Sequence, residues 1–222
     1  MIAENLQKVK ATLKPNVELV AVSKFHPAEA IQEAYEAGQR VFGESHVQEL
    51  VEKEKVLPKD IQWHFIGHLQ TNKVKYIASF VSLIHSMDSL KLMKEIDKQA
   101  EKCGRVIDVL LQIHVAAEET KFGFTPEEVV EMLQEDEWKN CTHVRIVGLM
   151  AMATNTDDEA RIGREFESVA QLFEVLKDSF FADKPEFKEL SMGMSGDYLI
   201  AQEHGSTMAR VGSMIFGERI YQ

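Results

Sequence analysis

Short segments rich in apolar and β-branched residues alternate along the chain with longer segments in which apolar residues recur at helical spacing. This alternation predicts βαβ units and a parallel sheet. The pattern predicts eight strands, over residues 17–24, 40–44, 62–67, 81–87, 107–114, 144–152, 189–195 and 208–216. Because eight parallel strands close into a barrel, the fold class that we expect is α/β, a single (β/α)8 (TIM) barrel.

The segments between the strands carry residues that start helices. Thr125 and Pro126 precede Glu128 in the order of a capping box with a proline in the first turn. Residues 157–180 show apolar positions at helical spacing with charges on the other face, as in a helix on the outside of a barrel. No internal repeat and no Pro/Gly/Ser-rich linker marks a boundary. We therefore expect one domain, residues 1–222.

Composition and charge narrow the class of protein. The chain has 222 residues, of which 45% are hydrophobic, as in an ordinary globular protein. Its net charge of −11 would repel a phosphate backbone, so we expect no nucleic-acid partner. No apolar run is long enough for a membrane helix and the amino-terminal segment is polar, so we expect no membrane contact and a cytoplasmic location. Cys103 and Cys141 form no CxxC motif or disulfide framework, which fits reduced thiols.

The lysine at the end of the first predicted strand is a candidate for chemistry. Ligands of such barrels bind at the carboxyl ends of the strands, and alternation puts Val20, Val22 and Lys24 on one face. Burial disfavours an ammonium, and the neutral amine is the form that attacks a carbonyl to make a Schiff base. The alternative is a strand-end lysine that extends its amine into water.

The last two predicted strands end in residues suited to an anion. Ser195 and Gly196 lead into a helix, and Gly212 and Ser213 offer close backbone approach with a hydroxyl, which is typical of a barrel phosphate site. Arg210 shares a strand face with Gly212, so its guanidinium is predicted to point into the same cavity. The alternative is that the glycines serve only turns and tight packing.

Eight motifs follow one another along the chain and carry a family resemblance. They are AVSKFHP (21–27), FGESHVQE (42–49), WHFIGHLQTNK (63–73), HSMDS (85–89), KFGF (121–124), GLMAM (148–152), LSMGMSGDY (190–198) and GSTMARVGSMIFGER (205–219). They resemble the motifs of the pyridoxal phosphate homeostasis proteins, which are small relatives of the alanine racemase N-terminal domain. The resemblance covers nearly the whole chain, and it implies a fold type III barrel with pyridoxal 5'-phosphate (PLP) as cofactor.

The resemblance also implies roles for single residues. Lys24 would form the internal aldimine with PLP. Ser195 and the backbone near Gly212 and Ser213 would hold the phosphate, and Arg210 would face the pyridine nitrogen. These implied roles agree with those expected from strand ends and alternation.

The sequence departs from the family pattern close to the expected ring. Ser45 stands where relatives typically carry Asn, so its hydroxyl replaces only part of that polar contact. His46 stands in place of Tyr, and His114 in place of a frequent Asn. The remaining cofactor-binding residues match the family pattern.

An arginine at the ring nitrogen bears on activity. Guanidinium stays protonated in proteins, so it would leave the ring nitrogen unprotonated and PLP a poor electron sink. Racemisation also needs a second base, which a second domain supplies in the racemases. We therefore expect a PLP carrier that holds the cofactor as a Schiff base, without efficient amino-acid catalysis, with PLP-dependent apo-enzymes as recipients and a monomeric state. The alternatives are a weak PLP-dependent racemase or lyase, and a phosphosugar barrel enzyme.

Several other residues receive weaker interpretations. The spacing of His64 and His68 in a strand does not suit a metal site, so none is expected. His114 could face the pocket, and Lys121 could accept the aldehyde secondarily. The methionines, including Met150, Met152, Met192 and Met194, are interpreted as core residues, and the charged run 52–55 as a solvated helix face.

Overall fold

The computed structural model describes residues 1–119 and 122–218, and within them eight parallel strands form a closed barrel in sequence order. The strands are β1 (Glu18–Val22), β2 (Val41–Glu44), β3 (Gln62–Phe65), β4 (Leu83–Met87), β5 (Ile107–Ile113), β6 (Val144–Ala151), β7 (Glu189–Met194) and β8 (Met208–Val211). β8 pairs with β1 and closes the barrel, with Val20 opposite Arg210. The predicted (β/α)8 barrel is confirmed.

Helices lie on the outside of the barrel, before the first strand, between successive strands and after the last strand. They are α1 (Ile2–Thr12), α2 (Ala28–Glu36), α3 (Val47–Val56), α4 (Val74–Ile77), α5 (Leu90–Lys102), α6 (Pro126–Gln134), α7 (Glu159–Phe180), α8 (Tyr198–Glu203) and α9 (Ser213–Phe216). The predicted capping box at the start of α6 is confirmed: the Thr125 side chain accepts from the Glu128 amide, and the Glu128 side chain accepts from the Thr125 amide. These bonds satisfy amides that have no partner inside the helix.

The prediction of a strand over residues 208–216 is wrong in its second half. β8 ends at Val211, and Gly212 leaves the extended conformation with φ −122° and ψ −70°. The carbonyl of Gly212 accepts the amides of Ile215 and Phe216 at 2.9 and 3.0 Å, so the chain turns into α9. The segment resembled a strand because a single helical turn of mostly apolar residues is too short to show a helical period.

The first strand is also shorter than predicted, and this sets the position of Lys24. β1 ends at Val22, and the amide of His26 donates to the carbonyl of Ser23 at 3.1 Å. Phe25 has φ +65°, in the left-handed region that residues other than glycine rarely adopt. Lys24 therefore lies in a tight turn just beyond the carboxyl end of β1.

Two apolar layers stabilise the barrel. Inside it, a small cluster fills the space between the strands: Val20, Val41, Leu83, Leu110, Val147, Met150 and Met208. A larger core lies between the strands and the helices, and it includes Met192. The interpretation of Met150 and Met192 as core residues is confirmed. Met152 packs, partly buried, against the inner cluster and also lines the cavity described below. The interpretation is wrong for Met194, which is exposed at the same cavity.

No helix among residues 1–119 and 122–218 is long and apolar enough to cross a membrane. The suggested secondary role of Lys121 falls outside the described residues.

Candidate functional site

A cavity of about 290 Å³ opens at the carboxyl ends of the barrel strands. It is lined by Val22, Lys24, His26, Ser45, Ile66, Met152, Met194, Ser195, Gly196, Arg210, Gly212 and Ser213. All six residues that the sequence predicted for a cofactor site (Lys24, Ser45, Ser195, Arg210, Gly212 and Ser213) line this one cavity. They come from both ends of the chain, and closure of the barrel between β1 and β8 brings them together.

Lys24 reaches the cavity from the turn after β1. Its side chain is half-buried, and Val22 below it lines the same cavity. Val20 lies two residues earlier, in the cluster inside the barrel. The predicted alternation of Val20, Val22 and Lys24 toward the barrel axis therefore agrees with the positions of these residues, although Lys24 itself lies outside the strand.

A hydroxyl and a helix start form the opposite side of the cavity. The amide of Gly212 donates to the Oγ of Ser195 at 3.3 Å, which links the ends of β7 and β8. Ser213 is the first residue of α9, where helix amides have no partner inside the helix. A Cβ at Gly212 would lie 3.0 Å from the carbonyl oxygen of Val22, a tight contact, so glycine favours the close approach of the two backbones here. The arrangement combines a hydroxyl with amides, the donors that suit a phosphate.

Arg210 closes the floor of the cavity and is almost fully buried. Its guanidinium donates to the carbonyl of Ser191 at 2.9 Å, to the hydroxyl of Ser191, and to the carbonyl of Ala151 at 3.1 Å. Burial lowers the pKa of Arg210 to about 10, which leaves the group a cation at neutral pH. A fixed cation here can donate a hydrogen bond to a ligand atom but does not release its proton.

Two histidines continue the hydrogen-bonded chain from Arg210 across the barrel. Ser191 Oγ lies 2.9 Å from Nδ1 of His85, and Nε2 of His85 lies 2.9 Å from Nδ1 of His64. Burial lowers the pKa of His64 to about 3, and burial together with the nearby Arg210 cation holds the pKa of His85 well below its usual range. Both imidazoles are therefore neutral, and Arg210 is the charged member of this hydrogen-bonded series.

Three other histidines are not among the residues that line the cavity. His46 precedes α3 and faces Glu49, with 3.6 Å between Nδ1 and Oε2. His68 stacks on Phe122, with ring centroids 3.7 Å apart. His114 follows β5, and it is not among the residues that line the cavity.

Sequence reasoning missed some of the lining residues. His26 is buried and stacks on Phe216, with ring centroids 5.2 Å apart. Ile66 follows β3, and Met152 follows β6. The strand-end rule that selected Lys24 would also have selected Ile66 and Met152, had apolar residues been considered.

A larger, open groove of about 870 Å³ lies between α7 and α8, beside Gly163 and His204. It is on the outer surface, away from the strand ends. We assign the functional site to the smaller cavity because barrel ligands bind at the strand carboxyl ends and because lysine, arginine and serine groups converge there.

The closed parallel barrel, with lysine, arginine and a glycine-serine turn around one cavity at its strand ends, defines a small-molecule-binding α/β barrel. The chain belongs to the family described as alanine racemase, N-terminal domain, whose model matches residues 1–220. The resemblance noted in the sequence is confirmed.

Relatives and solved structures agree with this membership. The "Pyridoxal phosphate homeostasis protein" of Schizosaccharomyces pombe is 40% identical over 207 residues, which cover 92% of this chain and 85% of the relative. The protein of the same name from Aquifex aeolicus is 40% identical over 205 residues, 92% of this chain and 88% of the relative. PipY of Synechococcus elongatus, solved without PLP, is 37% identical with a TM-score of 0.91, covering 98% of this chain and all of that one.

Two further structures bear on the ligand and on the fold. PipY has also been solved with PLP bound, and that structure matches with a TM-score of 0.87 and the same coverage. Alanine racemase of Clostridium difficile is 15% identical with a TM-score of 0.79, and the match covers all of this chain and 57% of that one. At this identity the racemase supports the fold alone.

Proposed function

We propose that this protein binds PLP in the cavity at the strand ends and acts in PLP homeostasis as a carrier. The observation that carries the proposal is the convergence of Lys24, Arg210 and the Ser195/Gly212/Ser213 donors on one cavity. Relatives about 40% identical over most of their length are named for PLP homeostasis, and the PipY structure with PLP bound supports the same ligand.

The cavity has the size and the donors that PLP needs. Its volume of about 290 Å³ is near the lower end of the usual range for small-molecule sites, about 300 to 1,000 Å³. Ser195 Oγ and the first amides of α9 suit the phosphate, and Arg210 suits the ring nitrogen. Ser45, at the end of β2, offers a hydroxyl to the ring substituents. PLP supplies an aldehyde, with which the Lys24 amine condenses as the C=N bond forms and one water leaves.

Arg210 makes efficient amino-acid chemistry unfavourable. Its guanidinium remains a cation despite burial, and the neutral His85 and His64 beyond Ser191 supply no proton that would reach a ring nitrogen. Without a protonated ring nitrogen, bound PLP stabilises a carbanion poorly. The site therefore favours holding PLP over turning over amino acids. The relatives are likewise named homeostasis proteins.

Three finer points belong to the same proposal. The recipients of bound PLP are PLP-dependent apo-enzymes, the carrier acts in the cytoplasm, and it is a monomer. The unpaired Cys103 and Cys141 fit a reducing compartment. Size-exclusion chromatography with light scattering tests the monomer, and a dimer mass at micromolar concentration would contradict it.

A spectroscopic titration tests the function. PLP added to the apo-protein should produce a saturable visible band, and adding an apo-enzyme should remove the band as that enzyme gains activity. With PLP bound, addition of an L-amino acid should leave the amino acid's configuration and carbon skeleton unchanged over hours. Efficient racemisation or decarboxylation would instead identify an enzyme, and absence of any saturable band would contradict PLP binding.

A further inference from the structure

A buried charged cluster lies on the outer side of the barrel wall, directly behind the turn that carries Lys24. It consists of Ser23, Glu44, Glu49 and Lys53, and we call it the Lys53 cluster. Ser23 and Glu44 are fully buried, and Lys53 is 7% exposed. The sequence interpretation of residues 52–55 as a solvated helix face is therefore wrong for Lys53.

The ammonium of Lys53 is held on three sides. Its Nζ donates to the carbonyl of Ser23 at 2.9 Å, to Oε1 of Glu44 at 2.7 Å, and to Oε1 of Glu49 at 2.6 Å. These bonds use all three donors of an ammonium group. Lys53 thus ties the carboxyl end of β2 and helix α3 to the residue that precedes Lys24.

The two carboxylates of the cluster bind the turn directly, one on each side of Lys24. Ser23 Oγ donates to Oε1 of Glu44 at 2.6 Å, and the amide of Phe25 donates to Oε1 of Glu49 at 2.6 Å. The residues before and after Lys24 are therefore fixed by side chains that do not reach the cavity, since neither Glu44, Glu49 nor Lys53 lines it.

The turn needs such support because its backbone is strained. Phe25 adopts φ +65°, a conformation that disfavours side chains with a Cβ and persists only where the surroundings enforce it. The bond from the Phe25 amide to Glu49 holds this residue in place. If the bond were lost, Phe25 would relax toward negative φ, and the direction of the neighbouring Lys24 side chain would change.

Stability alone is a weak reason for this arrangement. Buried ion pairs often contribute little net stability because desolvation offsets the attraction, and they are best attested where they select one conformation. In this cluster each of the three charged side chains also hydrogen-bonds to the Ser23–Phe25 turn: Glu44 accepts from the Ser23 hydroxyl, Glu49 accepts from the Phe25 amide, and Lys53 donates to the Ser23 carbonyl.

We infer that Glu49 and Lys53 are positioning residues, which hold the Ser23–Phe25 turn so that the Lys24 amine points into the cavity for attachment of PLP. This inference rests on the proposed function. It assigns to the outer face of the barrel wall a role in a reaction that takes place inside the barrel.

The first experiment compares Glu49→Ala with Glu52→Ala. Glu52 is exposed on the same helix, and its side chain accepts a hydrogen bond from Gln48, so it is a matched control. Two quantities are measured for each protein: the equilibrium constant for attachment of PLP, from the visible band, and the Kd of pyridoxamine 5'-phosphate, which has the ring and phosphate but no aldehyde. Borohydride reduction and peptide mapping identify the lysine that is labelled.

The expected result separates attachment from binding. Glu49→Ala should lower the attachment constant by about tenfold, the usual effect of losing one charge-assisted hydrogen bond. The Kd of pyridoxamine 5'-phosphate should stay within about twofold of wild type, because the phosphate and ring contacts are untouched. Glu52→Ala should change neither quantity. An unchanged attachment constant in Glu49→Ala, or an equal loss for both ligands, would overturn the inference.

A second pair and a rescue test the part played by the backbone. Lys53→Met should lower the attachment constant at least as much as Glu49→Ala, whereas Lys55→Met, at an exposed position of the same helix, should not. If Lys53→Met does not fold, as judged by circular dichroism, Glu49→Ala decides alone. Phe25→Gly, which accepts a positive φ without strain, should restore most of the attachment lost in Glu49→Ala. Failure to restore it would mean that the loss does not act through the turn, and would overturn the inference.

The failure of this inference can be distinguished from failure of the proposed function. If wild-type protein forms no borohydride-stable adduct at Lys24, the proposed function itself fails. If wild type is labelled at Lys24 and Glu49→Ala is labelled equally well, only the positioning role fails.

Discussion

Replacing Glu44 by Gln should remove most of the pH dependence of stability that this carboxyl causes. Glu44 is fully buried, its Oε1 accepts from Ser23 and Lys53, and its Oε2 has no hydrogen-bond partner among the described residues. Burial, opposed by Lys53 and the hydrogen bond from Ser23, raises the pKa of Glu44 to about 7. Gln keeps an oxygen acceptor for Ser23 and cannot ionise.

The size and sign of the effect follow from this pKa. A carboxyl with a pKa of 4.5 in the unfolded chain and about 7 in the folded one binds an extra proton in the folded state between these values. Its contribution to stability is therefore fully present below about pH 4.5 and is lost as pH rises through about 7. At 1.36 kcal/mol per pKa unit, the loss amounts to about 3 kcal/mol.

Urea unfolding at several pH values from 5 to 8 measures this contribution. At each pH the free energy of unfolding of wild type is subtracted from that of Glu44→Gln, so that the titration of all other groups cancels. The difference should rise in favour of the variant by about 2 to 3 kcal/mol across this range. Glu52→Gln, at an exposed position on α3, controls for the exchange of a glutamate for a glutamine in this helix. A pH-independent difference for Glu44→Gln would refute the raised pKa and the reasoning built on it.

Two predictions concern ligand contacts inside the cavity. Ser195→Ala should weaken PLP binding by about ten- to a hundredfold, because a hydrogen bond to a charged phosphate is worth roughly 1.5 to 3 kcal/mol. Pyridoxal, which lacks the phosphate, should bind to this variant almost as it binds to wild type. An equal loss for both ligands in an isothermal titration would indicate that Ser195 acts on the ring or on stability. Arg210→Glu should raise the proton affinity of the ring nitrogen and increase the reaction of bound PLP with amino acids. A folded, PLP-loaded Arg210→Glu protein with wild-type spectra and amino-acid reactivity would show that Arg210 does not contact the ring.

The barrel and the position of its cavity could be predicted because they depend on local patterns. Eight alternating segments indicate the strand count, and the strand-end rule leads to Lys24 and Ser195. Period-two alternation adds Arg210, which the structure buries beneath the cavity. Each of these inferences needs only a few neighbouring residues.

Contacts between distant segments could not be predicted in this way. His64 and His85 touch because β3 and β4 pair with His64 opposite Leu83, and the sequence does not state this register. Glu49 and Lys53 look like a surface pair at i,i+4 spacing on a helix. Only the packing of α3 against the turn after β1 shows that they are directed inward.

The covalent attachment of PLP to Lys24 is the central claim, and one measurement tests it most directly. The protein is saturated with PLP, reduced with borohydride, digested and mapped by mass spectrometry, with the label at every lysine quantified. The account predicts near-stoichiometric label on the peptide that contains Lys24, and loss of this label together with the visible band in Lys24→Ala. Recovery of the label at Lys121 or at surface lysines, with Lys24 unmodified, would contradict the account.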